Sequence, residues 1–143
     1  MRISFDKAEM DLDLIHAFLS GAYWSAGIPR HIVERAIANS ICVAAFAPDE
    51  AGVDEQTGFA RVVSDFATFA YLADVFVLPA HRGKGVARAM VEALQDHPDL
   101  QGLRRWVLFT RDMQPVYAKL GWTPYPHPPE RLMVREAADI YQR

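Results

Sequence analysis

The chain is short of the features that would staple, anchor or spread a protein. It has a single cysteine, Cys42, among 143 residues, which excludes an intrachain disulfide framework and any cysteine-cluster metal site. No apolar run approaches the length of a membrane span, and the opening residues carry Asp6, Glu9, Asp11 and Asp13 rather than a signal-peptide pattern. The expectation is a soluble, cytoplasmic protein. Neither sign of charge dominates: 15 Lys and Arg stand against 18 Asp and Glu, a formal net charge of -3. That balance argues against nucleic-acid or membrane partners, while leaving room for a local basic patch that holds phosphate. Five histidines are scattered without ligand spacing, so no metal is expected.

What is present suits one ordinary domain spanning residues 1–143. Apolar residues make up 51% and charged residues 23%, enough to bury a core without staples. No repeat or long linker divides the chain. Ile3 to Phe5 reads as a short strand. Leu12, Ile15 and Leu19 keep helical spacing over Asp11–Ser20, with Gly21 as terminator. The stretch Tyr23 to Ile28 reads as a loop, and Pro29 opens a second helix. Ile41–Phe46, Gly58–Val63 and Thr68–Leu78 are strand-like, the last two forming a hairpin that turns at Ser64, Asp65 and Phe66. Thr68–Leu78 is almost wholly apolar, the pattern of a central strand covered on both faces, and only Asp74 interrupts it. Val86, Met90 and Leu94 mark an amphipathic helix ending near His97. Arg105–Thr110 is a further strand, and Met113–Leu120 a short helix with Asp112 as its expected cap and Gly121 as its terminator. Arg131–Arg135 is expected to return as a last strand. The simplest packing is α/β, a mixed central sheet flanked by helices on both faces.

Arg82, Gly83, Lys84, Gly85, Val86 and Ala87 lie between an apolar strand and an amphipathic helix. Two glycines let backbone pass close to a ligand, and the free N–H groups of the following helix offer an anion site. Arg82 and Lys84 put positive charge at a helix end where cations oppose the dipole, which an anionic ligand explains better than helix stability does. A diphosphate is the natural candidate; a solvated loop with basic residues is the plain alternative. The spacing is neither that of a P-loop nor that of a dinucleotide fingerprint.

The run from Val77 to Ala87 resembles the acetyl-coenzyme A signature of the GCN5-related N-acetyltransferase (GNAT) superfamily: Arg or Gln, two residues, Gly, one residue, then Gly or Ala, here Arg82, Gly85 and Ala87. The block from Trp106 to Thr110, followed by Val116 to Trp122, is similar to the family's next strand and its Tyr-x-x-x-Gly-aromatic segment. Within the superfamily the chain looks like the small, stand-alone bacterial members. The resemblance implies an acyl-coenzyme A N-acyltransferase fold, acetyl-coenzyme A as cosubstrate, and direct attack by a primary amine in a ternary complex. Carried over residue by residue, backbone groups of Val75, Phe76 and Val77 pair with the pantetheine arm. Amides from Arg82 through Gly83, Lys84, Gly85 and Val86 to Ala87 hold the diphosphate. The chain departs from the family pattern at Thr110, where many relatives have Asn, and Thr110 or Asp112 is the expected substitute.

Acyl transfer needs a neutral amine, a stabilised oxyanion and a protonated leaving group. The resemblance makes Tyr117 the acid to the thiolate, against its reading as a helix residue packed on the sheet. A backbone N–H at or near Val75 would meet the oxyanion. Asp74 is the candidate base or water-positioner, because a carboxylate in an apolar strand must be paired, solvated or protonated; the plain alternative is a hydrogen bond to a loop. Asp65 is the second candidate, for a substrate ammonium. Tyr23 and Trp24, in the loop where the family builds part of its acceptor site, and Tyr71 from the sheet are candidate acceptor contacts; packing is the alternative for each. Cys42 reads as a buried, inert thiol. The acceptor is a small-molecule or peptide amine of undetermined identity, and a homodimer is compatible with the sequence. A noncatalytic acyl-coenzyme A sensor would keep the glycine turn and dispense with Tyr117 and Asp74.

Overall fold

In a computed structural model describing all residues, Met1–Arg143, the chain is built around five strands in the order of the sequence. These are β1 (Arg2–Ser4), β2 (Ile41–Pro48), β3 (Asp54–Ser64), β4 (Phe69–Val77) and β5 (Arg105–Leu108). β1 to β4 pair antiparallel and β4 pairs with β5 in parallel, so the sheet is mixed, as expected. The parallel pair requires a crossover, which α3 (Val86–Gln95) supplies. Helices α1 (Leu12–Gly21) and α2 (Arg30–Ala38) precede β2, and α4 (Gln114–Ala118) follows β5.

Alternation along the strands makes two cores. Val43 and Ala45 of β2, Ala60 and Val62 of β3, and Ala70 and Leu72 of β4 join Val86, Met90, Val91 and Leu94 of α3 and Tyr117 of α4 on one face. Cys42, Phe59 and Phe76 meet Ile15, Leu19, Ile28 and Val33 from α1, α2 and their connection on the other. Each fully buried aliphatic contributes about 1.5–3 kcal/mol relative to exposure, and the α3 stripe alone provides four. Met90 comes so close to β3 that a Cβ on Gly58 would stand 2.9 Å from its Cε and 3.1 Å from the Phe76 carbonyl oxygen. α1 starts where Asp11 caps it, Oδ1 accepting from the Leu14 amide at 3.1 Å. Pro29 stands one position ahead of α2, at its cap. No helix is long and apolar enough to cross a membrane.

Two local expectations fail. Arg131–Arg135 is not a strand: Pro129–Arg131 forms a 3-10 turn and the residues that follow are exposed and unpaired. The prolines at 124, 126, 128 and 129 remove the amide donors that would carry a strand into this stretch. Asp112 does not cap α4; Thr110 Oγ1 accepts the Met113 amide at 3.0 Å instead, and no side chain caps the first turn.

Candidate active site

The site begins with one extra residue in β4. Phe59 faces Phe76 and Arg61 faces Ala73, so Asp74 and Val75 together oppose Ala60. Asp74 takes φ +56°, a left-handed conformation that costs a residue other than glycine about 1–2 kcal/mol; Asp tolerates it better than most. The bulge reverses the inside-outside parity of the strand. Ala70 and Leu72 face the α3 core before it, while Val75 and Val77 pack toward that core after it. An unbroken strand would drive the Asp74 carboxylate into that apolar cluster. The bulge re-aims it to the α1–α2 side.

There the carboxylate is paired. Oδ2 accepts from Arg61 Nε at 2.6 Å and Oδ1 from Trp24 Nε1 at 2.9 Å. The two ionic side chains retain only 17% and 11% of their exposure, and Arg61 also donates to Ser40 Oγ at 3.2 Å. Of the three fates open to a carboxylate in an apolar strand, Asp74 has the first. Both of its oxygens are therefore engaged, one by a guanidinium and one by an indole N–H.

Beyond Leu72 the β4–β5 ladder stops, Leu72 opposite Leu108 being its last pair. From Ala73 to Val77 the edge of β4 that would meet β5 has no strand partner, so Val75, Phe76 and Val77 present backbone groups to an open wedge. At the end of the wedge Pro79–His81 form a 3-10 turn and α3 begins. Gly83 and Gly85 have φ +76° and +78°, and nothing stands within 4 Å of where a side chain would project from either. Gly85 caps α3 without a side-chain hydrogen bond, and the first backbone bond of the helix is Ala89 N–H to Gly85 O at 3.0 Å. The amides from Gly83 to Arg88 are therefore free and fit a diphosphate, whereas the Arg82 amide, expected among them, is spent on the Pro79 carbonyl at 3.3 Å, closing the 3-10 turn. Lys84 is exposed and makes no ion pair. Arg82 folds back so that Nε donates to the Val77 carbonyl at 2.9 Å, leaving its two terminal nitrogens available.

Tyr117 forms the far wall. Its ring is 9% exposed and meets Trp122 edge-on at 6.0 Å between centroids. Its hydroxyl donates to no protein group, yet it is no stranded buried atom, so it is open to solvent. Burial, and secondarily Tyr23, push the phenol up to about 12, which keeps its proton in place at neutral pH. Tyr23 and Trp24, on the α1–α2 connection, are 56% and 42% exposed and contact each other edge-on at 5.1 Å. Arg111, from the β5–α4 connection, lies over the Tyr23 ring at 4.0 Å and so joins the two sides of the wedge. Tyr71 packs edge-on against Phe109 at 5.9 Å; burial, then Asp74, raise its phenol.

The structure thus links Asp74 to Trp24 and Trp24 to Tyr23, keeps Tyr71 in the paired part of β4 opposite Val107, and leaves Asp65 out. Asp65 caps its own hairpin: Oδ1 accepts from the amides of Ala67, Thr68 and Phe69, and Oδ2 from Thr68 Oγ1 at 2.6 Å. Those bonds hold its carboxyl well below the usual range. Thr110 is occupied at the start of α4, and Asp112 is exposed with no side-chain partner. Sequence reasoning missed Arg61 and Arg111. Arg61 carried a usable signal: it is the lone charge within the apolar run Phe59–Val63, as Asp74 is within β4, and adjacent hairpin strands bring two such charges together. Arg111 carried none.

A family model described as an acetyltransferase (GNAT) domain matches residues 38–124. A curated protein of Gibberella zeae, named as a candidate acetyltransferase, is 32% identical over 142 residues, covering 86% of this chain and 79% of its own. A crystal structure from Xanthomonas campestris pv. campestris, described as a candidate acetyltransferase of the GNAT family, superposes with a TM-score of 0.90 at 46% identity, covering 99% of this chain and 96% of its own. A Mycobacterium tuberculosis protein solved in complex with CoA and NLQ shares the fold, with a TM-score of 0.65 at 22% identity over 91% of this chain and 78% of its own.

Proposed function

This chain belongs to the GNAT family and is an acetyl-coenzyme A-dependent acetyltransferase, and we propose that it acetylates a primary amine by direct attack in a ternary complex. Acetyl-coenzyme A supplies the acyl group as a thioester. The free amides from Gly83 to Ala87, with Lys84 and the terminal nitrogens of Arg82, hold the diphosphate, and the unpaired edge of Val75, Phe76 and Val77 receives the pantetheine arm as an added strand would be received. A backbone N–H at the Asp74–Val75 bulge meets the carbonyl oxygen as charge develops. The new bond joins the amine nitrogen to the carbonyl carbon while the carbon–sulfur bond breaks. Tyr117 gives its hydroxyl proton to the departing sulfur, the amine loses one proton to water, and a proton from water restores the Tyr117 hydroxyl.

Asp74 serves as orienter and water-positioner rather than as the final proton acceptor. Its two oxygens each keep a lone pair after Arg61 and Trp24 have donated, enough to accept a hydrogen bond from the incoming amine or from the water that deprotonates it. Tyr23 and Trp24 line the approach. Asp65 has no role in this reading. The observation that supports the proposal is the unpaired edge of β4 beyond Leu72, leading to the open glycine turn at Gly83 and Gly85, in a chain whose Tyr117 hydroxyl is engaged by no other group.

The test is acetyl transfer in the pre-steady state by native and Tyr117→Phe protein, with an amine taken from a thiol-release screen. Loss of the proton donor is expected to slow transfer about 10²-fold, the low end of positioned proton transfer, with coenzyme A affinity unchanged. Transfer at the native rate would remove Tyr117 from the mechanism. Tight binding without transfer to any amine would favour the sensor reading.

A further inference from the structure

One cation beside the wedge is held in place without a counter-ion. Arg111 is exposed, its Cζ lies 4.0 Å from the centroid of the Tyr23 ring, and no carboxylate pairs with it. Stacking on Tyr23 fixes the guanidinium plane and leaves its N–H donors unspent. Asp74 stands at the other end of the same aromatic pair. Tyr23 meets Trp24 edge-on at 5.1 Å, and Trp24 Nε1 donates to Asp74 Oδ1 at 2.9 Å. Two ring contacts and one hydrogen bond separate a free cation from a carboxylate.

Both charges belong to one face of the sheet. The bulge turns Asp74 to the α1–α2 side, and Arg111 is stacked on the α1–α2 connection itself. The turn at Gly83 and Gly85 opens α3, which packs on the opposite face. Ala70 and Leu72 of β4, and Trp106 and Leu108 of β5, pack toward that α3 core. Tyr71 and Phe109 therefore point the other way. They meet edge-on at 5.9 Å, with Phe109 58% exposed, and give the Asp74 side an uncovered apolar surface.

Charge narrows what fits there. Asp74 is already neutralised by Arg61 at 2.6 Å, so the charge left over is that of Arg111. Glu136, the weakest influence on the Tyr71 phenol, pairs with neither arginine. A polyamine would bring a second ammonium toward an unpaired guanidinium. An amine that carries its own carboxylate brings the missing counter-ion.

We propose that the acceptor is a free amino acid, its amine set beside Asp74 and its carboxylate held by the Arg111 guanidinium. This rests on the acetyl-transfer reading above and names its substrate class. The amine donates to an Asp74 oxygen, the guanidinium donates to the carboxylate, and the carbons between them lie along Tyr71 and Phe109. The transfer itself is the one already described: the acetyl carbon passes from sulfur to the amine nitrogen, and the carboxylate keeps its charge. Arg111 sets specificity at the far end of the substrate and moves no proton.

The test compares ω-amino acids, from glycine to 5-aminopentanoate, with unbranched alkylamines of equal carbon number, rates being expressed per neutral amine. Native protein should prefer the acid of best length by roughly 10- to 100-fold in kcat/KM, the worth of a hydrogen bond to a charged group. Arg111→Gln should bring that ratio near one through KM, and Arg111→Lys should keep part of it. Arg111→Glu should turn the preference toward an α,ω-diamine. Coenzyme A affinity should stay native in all three. Calorimetry adds a readout free of turnover: the N-acetylated amino acid should bind the coenzyme A complex, and Arg111→Gln should weaken that binding roughly tenfold or more. Equal rates for acids and alkylamines, or an acid preference that survives Arg111→Gln, would overturn the proposal and leave transfer to an amine standing. Loss of coenzyme A affinity with Arg111 would do the same, by assigning the guanidinium to the cofactor. Binding of the acetylated acid through Arg111 without transfer to any amine would instead sustain the carboxylate site and overturn the ternary-complex reading. Neither binding nor transfer would overturn both.

Discussion

The two halves of the site are built by opposite means. The glycine turn is contiguous: six residues from Arg82 to Ala87 hold two left-handed glycines and a helix start, and every group proposed to hold the diphosphate comes from that run. The proposed acceptor side draws on four places far apart in the chain. Trp24 and Tyr23 come from the α1–α2 connection, Arg61 from β3, Asp74 from β4, and Arg111 and Tyr117 from β5–α4. A contiguous cradle depends on backbone angles and forgives side-chain change. A convergent one depends on each partner, because losing any member strands the others in low dielectric. The halves should therefore respond differently to substitution.

The largest expected effect is on the convergent side. Arg61→Ala leaves the Asp74 carboxylate with little solvent and no counter-charge, and should cost about 3 kcal/mol of stability, read as a lowered urea midpoint. Adding Asp74→Asn should recover much of that loss. A loss below about 1 kcal/mol, the range of surface pairs, would place Arg61–Asp74 outside the core of the site.

Next comes alkaline stability. Below pH 10 Tyr117 is protonated whether the chain is folded or not, and its contribution is whole. Between pH 10 and about 12 only the unfolded chain ionises at this position, so stability falls as pH rises, by about 2 kcal/mol over the interval. Urea midpoints from pH 9 to 12 should show Tyr117→Phe declining less steeply than native protein. Parallel curves would mean that the phenol ionises as freely folded as unfolded.

The contiguous side should yield a smaller change. Gly85→Ala puts a Cβ at φ +78° with open space around it, so the penalty is conformational, about 1–2 kcal/mol. Calorimetry should find coenzyme A binding weakened roughly tenfold through disturbed amides. Unchanged affinity would show that the cradle survives a shifted turn.

The smallest is Trp24→Phe, which keeps the ring and removes the donor to Asp74 Oδ1. It should cost about 1 kcal/mol and raise the KM for the amine while coenzyme A affinity stays native. An equal effect on both ligands would join the two halves that the geometry keeps apart.

Legibility followed the same division. The strand–turn–helix around Arg82 to Ala87 could be read because glycine, helix periodicity and the end of an apolar strand are local signals. The mixed sheet with helices on both faces followed from element order and the handedness of the crossover. Asp74 stood out as a charge in an apolar strand, but nothing local marked the bulge, since an extra residue is defined only against the neighbouring strand. Its partner Arg61 could be read only as a lone charge in the apolar run Phe59–Val63; that the two meet is decided by the pairing of β3 with β4. Asp65 looked like a site residue because a turn aspartate with three amides ahead of it and an exposed aspartate read alike in one dimension. The strand expected at Arg131–Arg135 has an apolar centre, Leu132 to Val134, and no strand partner within its own chain.

By itself, then, the sequence determined the order of elements, the two faces of the sheet and the glycine turn ahead of α3, because each depends on residues within a few positions of one another. Tertiary structure alone decided which way Asp74 points, what neutralises it, and where β4 and β5 part. Those depend on register between strands, which is set by the fit of whole faces. No short run of residues carries that fit.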